Sequence, residues 1–139
     1  MGVDPGEKHI GIALANPTIG LAKPLMIIKH ISRAENAARI VKLAEENHCG
    51  AIVIGCPTDS DGQEGVSARR SLRLINAIRE ISSIELIPWD ESHTSQDAME
   101  TLIASGAKKK NRQKRLDDLS AAMLLIDYMA SLNLGSHNA

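Results

Sequence analysis

Over the first thirty residues apolar side chains recur at every second position. Ile10, Ile12 and Leu14 alternate with His9, Gly11 and Ala13, which predicts a strand with one strongly apolar face. It is expected to pair with a preceding strand that carries Asp4 into the turn residues Pro5-Gly6. Asn16-Pro17-Thr18-Ile19-Gly20 is turn chemistry, and Leu25-Met26-Ile27-Ile28 supplies a third strand, so the opening of the chain reads as an antiparallel meander. The period then changes. Ser32-Arg33-Ala34-Glu35 has the form of a capping box, and Ala34, Ala37, Ala38, Val41 and Ala44 mark the apolar face of a helix ending near Asn47.

Ala51-Ile52-Val53-Ile54 is apolar without alternation, as expected of a strand covered on both faces. After the loop residues Thr58 to Gly62, a helix with Leu72, Ile75, Ile78 and Ile81 inward is predicted, followed by a fifth strand from Ile84 to Trp89. Thr94-Ser95-Gln96-Asp97 opens another helix, with Ala98, Leu102 and Ile103 inward and Gly106 as its stop. Leu116 to about Leu132 is apolar nearly all round, the pattern of a buried helix. Strands that follow crossover helices run parallel, so the expected class is α/β, a five-stranded mixed sheet with helices on both faces.

At 139 residues the chain suits one domain, residues 1–139, around one sheet. No apolar run approaches the ~20 residues of a membrane span. The N-terminus lacks the basic and apolar segments of a secretory signal, and Cys49 and Cys56 have no metal-ligand spacing, so a cytoplasmic protein with reduced thiols is expected. A net charge of −1 offers no global attraction to a polyanion, so any nucleic-acid partner must be held by local patches. Two stand out: Lys108, Lys109, Lys110, Arg112, Lys114 and Arg115, and the helically spaced Arg69, Arg70 and Arg73. With no Phe, one Trp and one Tyr, a stacking platform for bases is excluded, and contact with the nucleic-acid backbone is the expected mode. Trp89, ending an apolar strand, is expected to pack in the core.

Three acidic positions each follow or open a buried element: Asp4, Asp90-Glu91 and Asp117-Asp118. Taken singly, they are a turn former and acids that offset helix dipoles. Brought to one edge, they would repel one another unless a cation offset the charge, and hard divalent ions prefer such oxygens. His9, His30, His48 and His137 show no zinc spacing, and His93 reads as a surface residue beside a helix cap.

Four ordered blocks carry a resemblance. They are Gly2-Val3-Asp4-Pro5-Gly6 with Lys8 to Ala13, Ile52 to Pro57 with Asp61-Gly62-Gln63-Glu64-Gly65, Asp90-Glu91-Ser92-His93-Thr94-Ser95, and Asp118-Leu119-Ser120-Ala121-Ala122. Through them the chain resembles the YqgF/RuvX family, named for Holliday junction resolution and pre-16S ribosomal RNA processing. The resemblance implies a ribonuclease H-like fold, sheet order 3-2-1-4-5 with strand 2 antiparallel, and a divalent-metal-dependent nuclease of structured nucleic acid. It also implies Asp4, Glu91 and Asp118 as catalytic metal ligands for Mg²⁺ or Mn²⁺, Asp118 through the acid-x-x-Ala-Ala pattern. Alternation sends Asp90 and Glu91 to opposite faces and leaves open which is inside. The run Lys108 to Arg115 leads into the helix bearing Asp118, where it would hold phosphate.

Two departures from the family pattern stand out. Only Met1, Gly2 and Val3 precede Asp4, so the first strand is expected to be short or the native start to lie upstream, and Ser92-His93 replace the usual Arg-Leu. Precursor ribosomal RNA and branched DNA both remain open as substrates, as do monomer and homodimer. The alternative function is a nucleic-acid-binding accessory protein of the same fold with little nuclease activity. An actin-like ATP-binding module would need a second phosphate loop and a longer chain.

Overall fold

The computed structural model describes residues 1–16, 18, 20–56, 65–90 and 116–137, and among these it contains five strands and three helices. In chain order they are β1 (Gly2–Pro5), β2 (His9–Asn16), β3 (Leu21–Lys29), α1 (Arg33–Glu46), β4 (Ala51–Gly55), α2 (Val66–Ile81), β5 (Glu85–Trp89) and α3 (Leu116–His137). The sheet order is β3-β2-β1-β4-β5, as the resemblance implies. β2 is antiparallel to both β1 and β3, and β1, β4 and β5 are mutually parallel.

Strand alternation divides the apolar residues into two cores. Val3, Ile10, Ile12, Ile28, Ile52 and Ile54 pack with Ile40, Val41 and Ala44 of α1 and Leu74, Ile75 and Ile78 of α2. Ala13, Ala22 and Val53 point the other way, onto Leu119, Ala121, Ala122, Leu124, Leu125, Ile126 and Met129 of α3. β1 is short, as expected, but it is held on both sides. Its pairing with β4 begins one residue early, where the Met1 carbonyl accepts from the Val53 N–H at 2.8 Å and the Met1 amine donates to the Ala51 carbonyl at 2.9 Å. Burial pushes that amine below its ordinary pKa, against an opposing contribution from Cys49.

Ser32 caps α1, its Oγ accepting from the Glu35 N–H at 3.2 Å. The chain leaves the helix through His48 in the left-handed region, φ 54°, with the Cys49 N–H closing on the Ala44 carbonyl at 2.8 Å. Three expectations need correction. On α1, Ala34 and Ala38 are exposed, while Asn36 and Ile40 are buried. Alanine spacing is a weak guide, and Asn36 tolerates burial because both ends of its amide are bonded. On α2, Leu72 and Ile81 are exposed, and the inward stripe is Ser71, Leu74, Ile75 and Ile78. Ser71 is tolerated there because its Oγ donates to the Gly55 carbonyl at 2.8 Å. β3 begins at Leu21, through Pro24: it is an edge strand, and its register with β2 shifts at Ile12/Ala13 next to that proline.

α3 extends past the predicted end at Leu132. The predicted helix opening at Thr94 lies outside the described residues. Among those residues no helix is long and apolar enough to cross a membrane.

Candidate metal centre

β1 lies in the middle of the sheet, between β2 and β4. Val3 points into the α1/α2 core, so Gly2 and Asp4 face α3. The approach there is close. A Cβ on Gly2 would stand 2.6 Å from Leu125 Cγ and 2.7 Å from the Ala121 carbonyl oxygen, so glycine is what lets α3 lie directly on the strand. Asp4 is the next residue on that face and is half-buried.

Glycines flank Asp4 on the neighbouring strands. Gly11 is its partner on β2, and continuing the β1/β4 register past Val3↔Ile54 sets Gly55 level with it on the other side. No Cβ from either strand crowds the carboxylate on this face. A half-buried carboxylate with small neighbours offers a hard oxygen donor of the kind that divalent cations prefer. The chain then turns sharply. At Gly6 any Cβ would collide with the His9 carbonyl oxygen, and the His30 N–H donates to the Lys8 carbonyl at 2.9 Å, tying the end of β3 to this turn.

Of the other predicted ligands, Glu91 lies outside the described residues. Asp118 stands in the first turn of α3, but its side chain is outside them too, as is that of Asp117. Among the described residues no three His, Cys, Asp or Glu side chains group as metal ligands. The basic run Lys108, Lys109, Lys110, Arg112, Lys114 and Arg115, along with His93, is likewise outside. Asp90 directly follows β5 and is exposed.

Trp89 packs, as expected. Its Nε1–H donates to Asp127 Oδ2 at 2.6 Å, and its ring meets Tyr128 edge to face, centroids 5.2 Å apart at 83°. The chain's one Trp and one Tyr are thus committed to each other and to α3. The second basic run, Arg69, Arg70 and Arg73, lies on α2 against the opposite face of the sheet from α3. It lines a cavity of about 310 Å³ with three residues the sequence reading left unassigned or unnoticed, His30, Arg33 and Asn36. These come from the end of β3 and the start of α1. The available signal was the Ser32 cap, which fixes Arg33 as the first residue of a helix returning to this end of the sheet.

The fold and sequence both have relatives. A protein of Thermoanaerobacter pseudethanolicus, named "Putative pre-16S rRNA nuclease", is 31% identical over 132 residues, covering 94% of this chain and 95% of its own length. A Caulobacter protein of the same name is 35% identical over 127 residues, covering 90% and 77%. Among solved structures, T. thermophilus RuvC in complex with a Holliday junction substrate superposes with a TM-score of 0.59 at 15% identity, covering 88% of this chain and 89% of that one. The fowlpox virus Holliday junction resolvase gives 0.56 at 17%, covering 94% and 96%. At such identities these two structures speak to the fold, the RuvC-like ribonuclease H architecture. The model of the RuvX family, described as Holliday junction resolvase, matches residues 1–131, and with that coverage the chain belongs to the RuvX family.

Proposed function

We propose that this chain is a divalent-metal-dependent nuclease of structured nucleic acid, with Asp4, Glu91 and Asp118 as its metal ligands. The observation that carries the reading is the position of Asp4: a half-buried carboxylate on the central strand, between glycines, on the face where α3 touches β1. Ala121, three residues after Asp118, rests against Gly2, two residues before Asp4. One helical turn and two strand residues are each only ~5–7 Å, which supports Asp118 as a second ligand. Ile87 and Trp89 belong to the α3 side, so alternation assigns Asp90 to the opposite face and favours Glu91 as the third.

When bound, Mg²⁺ or Mn²⁺ supplies Lewis acidity to the phosphate and lowers the pKa of water. The protein's own part is to hold three carboxylates from separate elements in one place and to position the strand. Asp4 is fixed by its paired strand, and α3 by the close Gly2 contact. The run Lys108 to Arg115 contacts backbone phosphate without reading sequence.

The relatives' names favour precursor 16S ribosomal RNA, whose 5′ end is the proposed site of cleavage, and the family description favours four-way DNA junctions. The test is to offer both, end-labelled, with Mg²⁺ or Mn²⁺ and then with EDTA. Metal-dependent cleavage of one or both is expected. Salt-sensitive binding without cleavage of either would instead make the chain an accessory binding protein.

A further inference from the structure

The cavity between α1 and α2 has a composition that Asp4 and its partners do not explain. It opens beside Pro5 and Gly6, at the same end of β1 as Asp4 but on the other face of the sheet, so the β1–β2 turn separates the two sites. Gly6 is only two residues from Asp4, at most ~7 Å along the backbone. Four arginines line it, Arg33 from α1 and Arg69, Arg70 and Arg73 from α2, and among the described residues that line it none is acidic. Among the described residues Arg33, Arg70 and Arg73 make no ion pair. Three guanidiniums with no ion pair among the described residues, converging on one cavity, offer an anion a favourable place.

Neutral donors add to the same character. The Ile31 N–H donates to Asn36 Oδ1 at 3.1 Å, which fixes the orientation of that buried amide, so its Nδ2 donates to His30 Nδ1 at 2.7 Å. A neutral His30 therefore carries its proton on Nε2, as a further donor at the cavity wall. α1 and α2 also begin at this cavity, so both macrodipoles present their positive ends to it.

We propose that this cavity is a phosphate-binding subsite, which takes a backbone phosphate of the nucleic acid flanking the phosphate held near Asp4. The strand would cross the β1–β2 turn, with one phosphate on each side of it. Guanidinium forks suit phosphate oxygens, and several converging on one group fix its position. The identity of the phosphate as substrate backbone rests on the nuclease reading; the anion-binding character of the cavity does not. A free phosphorylated small molecule would satisfy the same chemistry, and the experiment separates the two.

Binding of a fluorescent four-way DNA junction and of a structured RNA is measured by anisotropy in EDTA, so that cleavage plays no part. The chains compared are the wild type, Arg70→Ala/Arg73→Ala and Arg79→Ala, the last removing an α2 arginine that does not line the cavity. The double variant is expected to bind at least one nucleic acid roughly ten-fold more weakly, with its salt slope reduced by about one. Arg79→Ala is expected to stay within about two-fold of wild type. Arg70→Lys/Arg73→Lys, which keeps the charge and loses the forks, should recover part of the loss and guards against misfolding.

Equal binding by the double variant and Arg79→Ala overturns the proposal, as does failure of the wild type to bind either nucleic acid. So does tight binding of inorganic phosphate or a mononucleotide that depends on Arg70 and Arg73 while nucleic-acid affinity does not. Asp4→Asn, run beside these, should abolish cleavage and leave the Arg70/Arg73 dependence of binding intact, so the two readings fail separately.

Discussion

At the scale of single residues, side chains that a sequence reader would treat as ordinary act through one bond each. Trp89 Nε1–H reaches a carboxylate oxygen of Asp127 at 2.6 Å, and its ring edge packs on Tyr128, so one side chain fastens the end of β5 to the middle of α3. Trp89→Phe keeps an aromatic body there and removes the donor. A hydrogen bond to a charged acceptor contributes ~1.5–3 kcal/mol, and partial exposure of both partners brings the expectation to about 1 kcal/mol. Urea unfolding followed by far-UV circular dichroism should show that loss with an unchanged m-value. No measurable loss would mean that solvent replaces the bond at no cost.

Between elements, the closest dependence is that of α3 on β1. Gly2→Ala puts a methyl group 2.6 Å from Leu125 Cγ, which can rotate, and 2.7 Å from the Ala121 carbonyl oxygen, which is main chain and moves only with the helix. The expected destabilisation is ~1–3 kcal/mol, the usual range for overpacking, read as a lower urea midpoint. Metal-dependent cleavage should fall as well, because displacing α3 moves the turn that carries Asp118. Wild-type stability in Gly2→Ala would show that α3 has slack over the strand.

Element identity was legible in the sequence where periodicity was unambiguous: the strands at Ile10 to Leu14 and Ala51 to Ile54, the Ser32 cap, and the buried run after Leu116. It was less legible where one residue carries two meanings. Pro24 reads as a break, yet an edge strand accommodates it beside a register shift. Asn36 and Ser71 read as polar, yet each is buried because a bond fixed only in the folded chain satisfies it. Asp4 was visible as a carboxylate at a strand end; its glycine neighbours Gly11 and Gly55 became apparent only through the register. The arginine cavity was half visible, since helical spacing groups Arg69, Arg70 and Arg73, while Arg33 and His30 join them only when α1 packs beside α2.

Across the whole molecule, charge decides how a polyanion can be held. With a net charge of −1 there is little overall field, so affinity for a polyanion has to be local, and the proposed reading assigns it to the patches on α2 and in Lys108 to Arg115. Affinity for nucleic acid should then fall linearly with salt on a log–log plot, by ~0.7–0.9 per phosphate neutralised, and show little dependence on base sequence. A flat salt dependence would contradict backbone recognition. If Asp4 holds the metal, cleavage depends on its carboxylate. The most direct measurement is single-turnover cleavage by Asp4→Asn at saturating Mn²⁺, on whichever of the two labelled substrates the wild type cuts, with folding checked by circular dichroism. Outer partners of metal ligands typically contribute 10–100-fold, so loss of a ligand should cost more than ~100-fold in rate with the fold unchanged. Wild-type cleavage by a folded Asp4→Asn protein would show that Asp4 does not hold the metal.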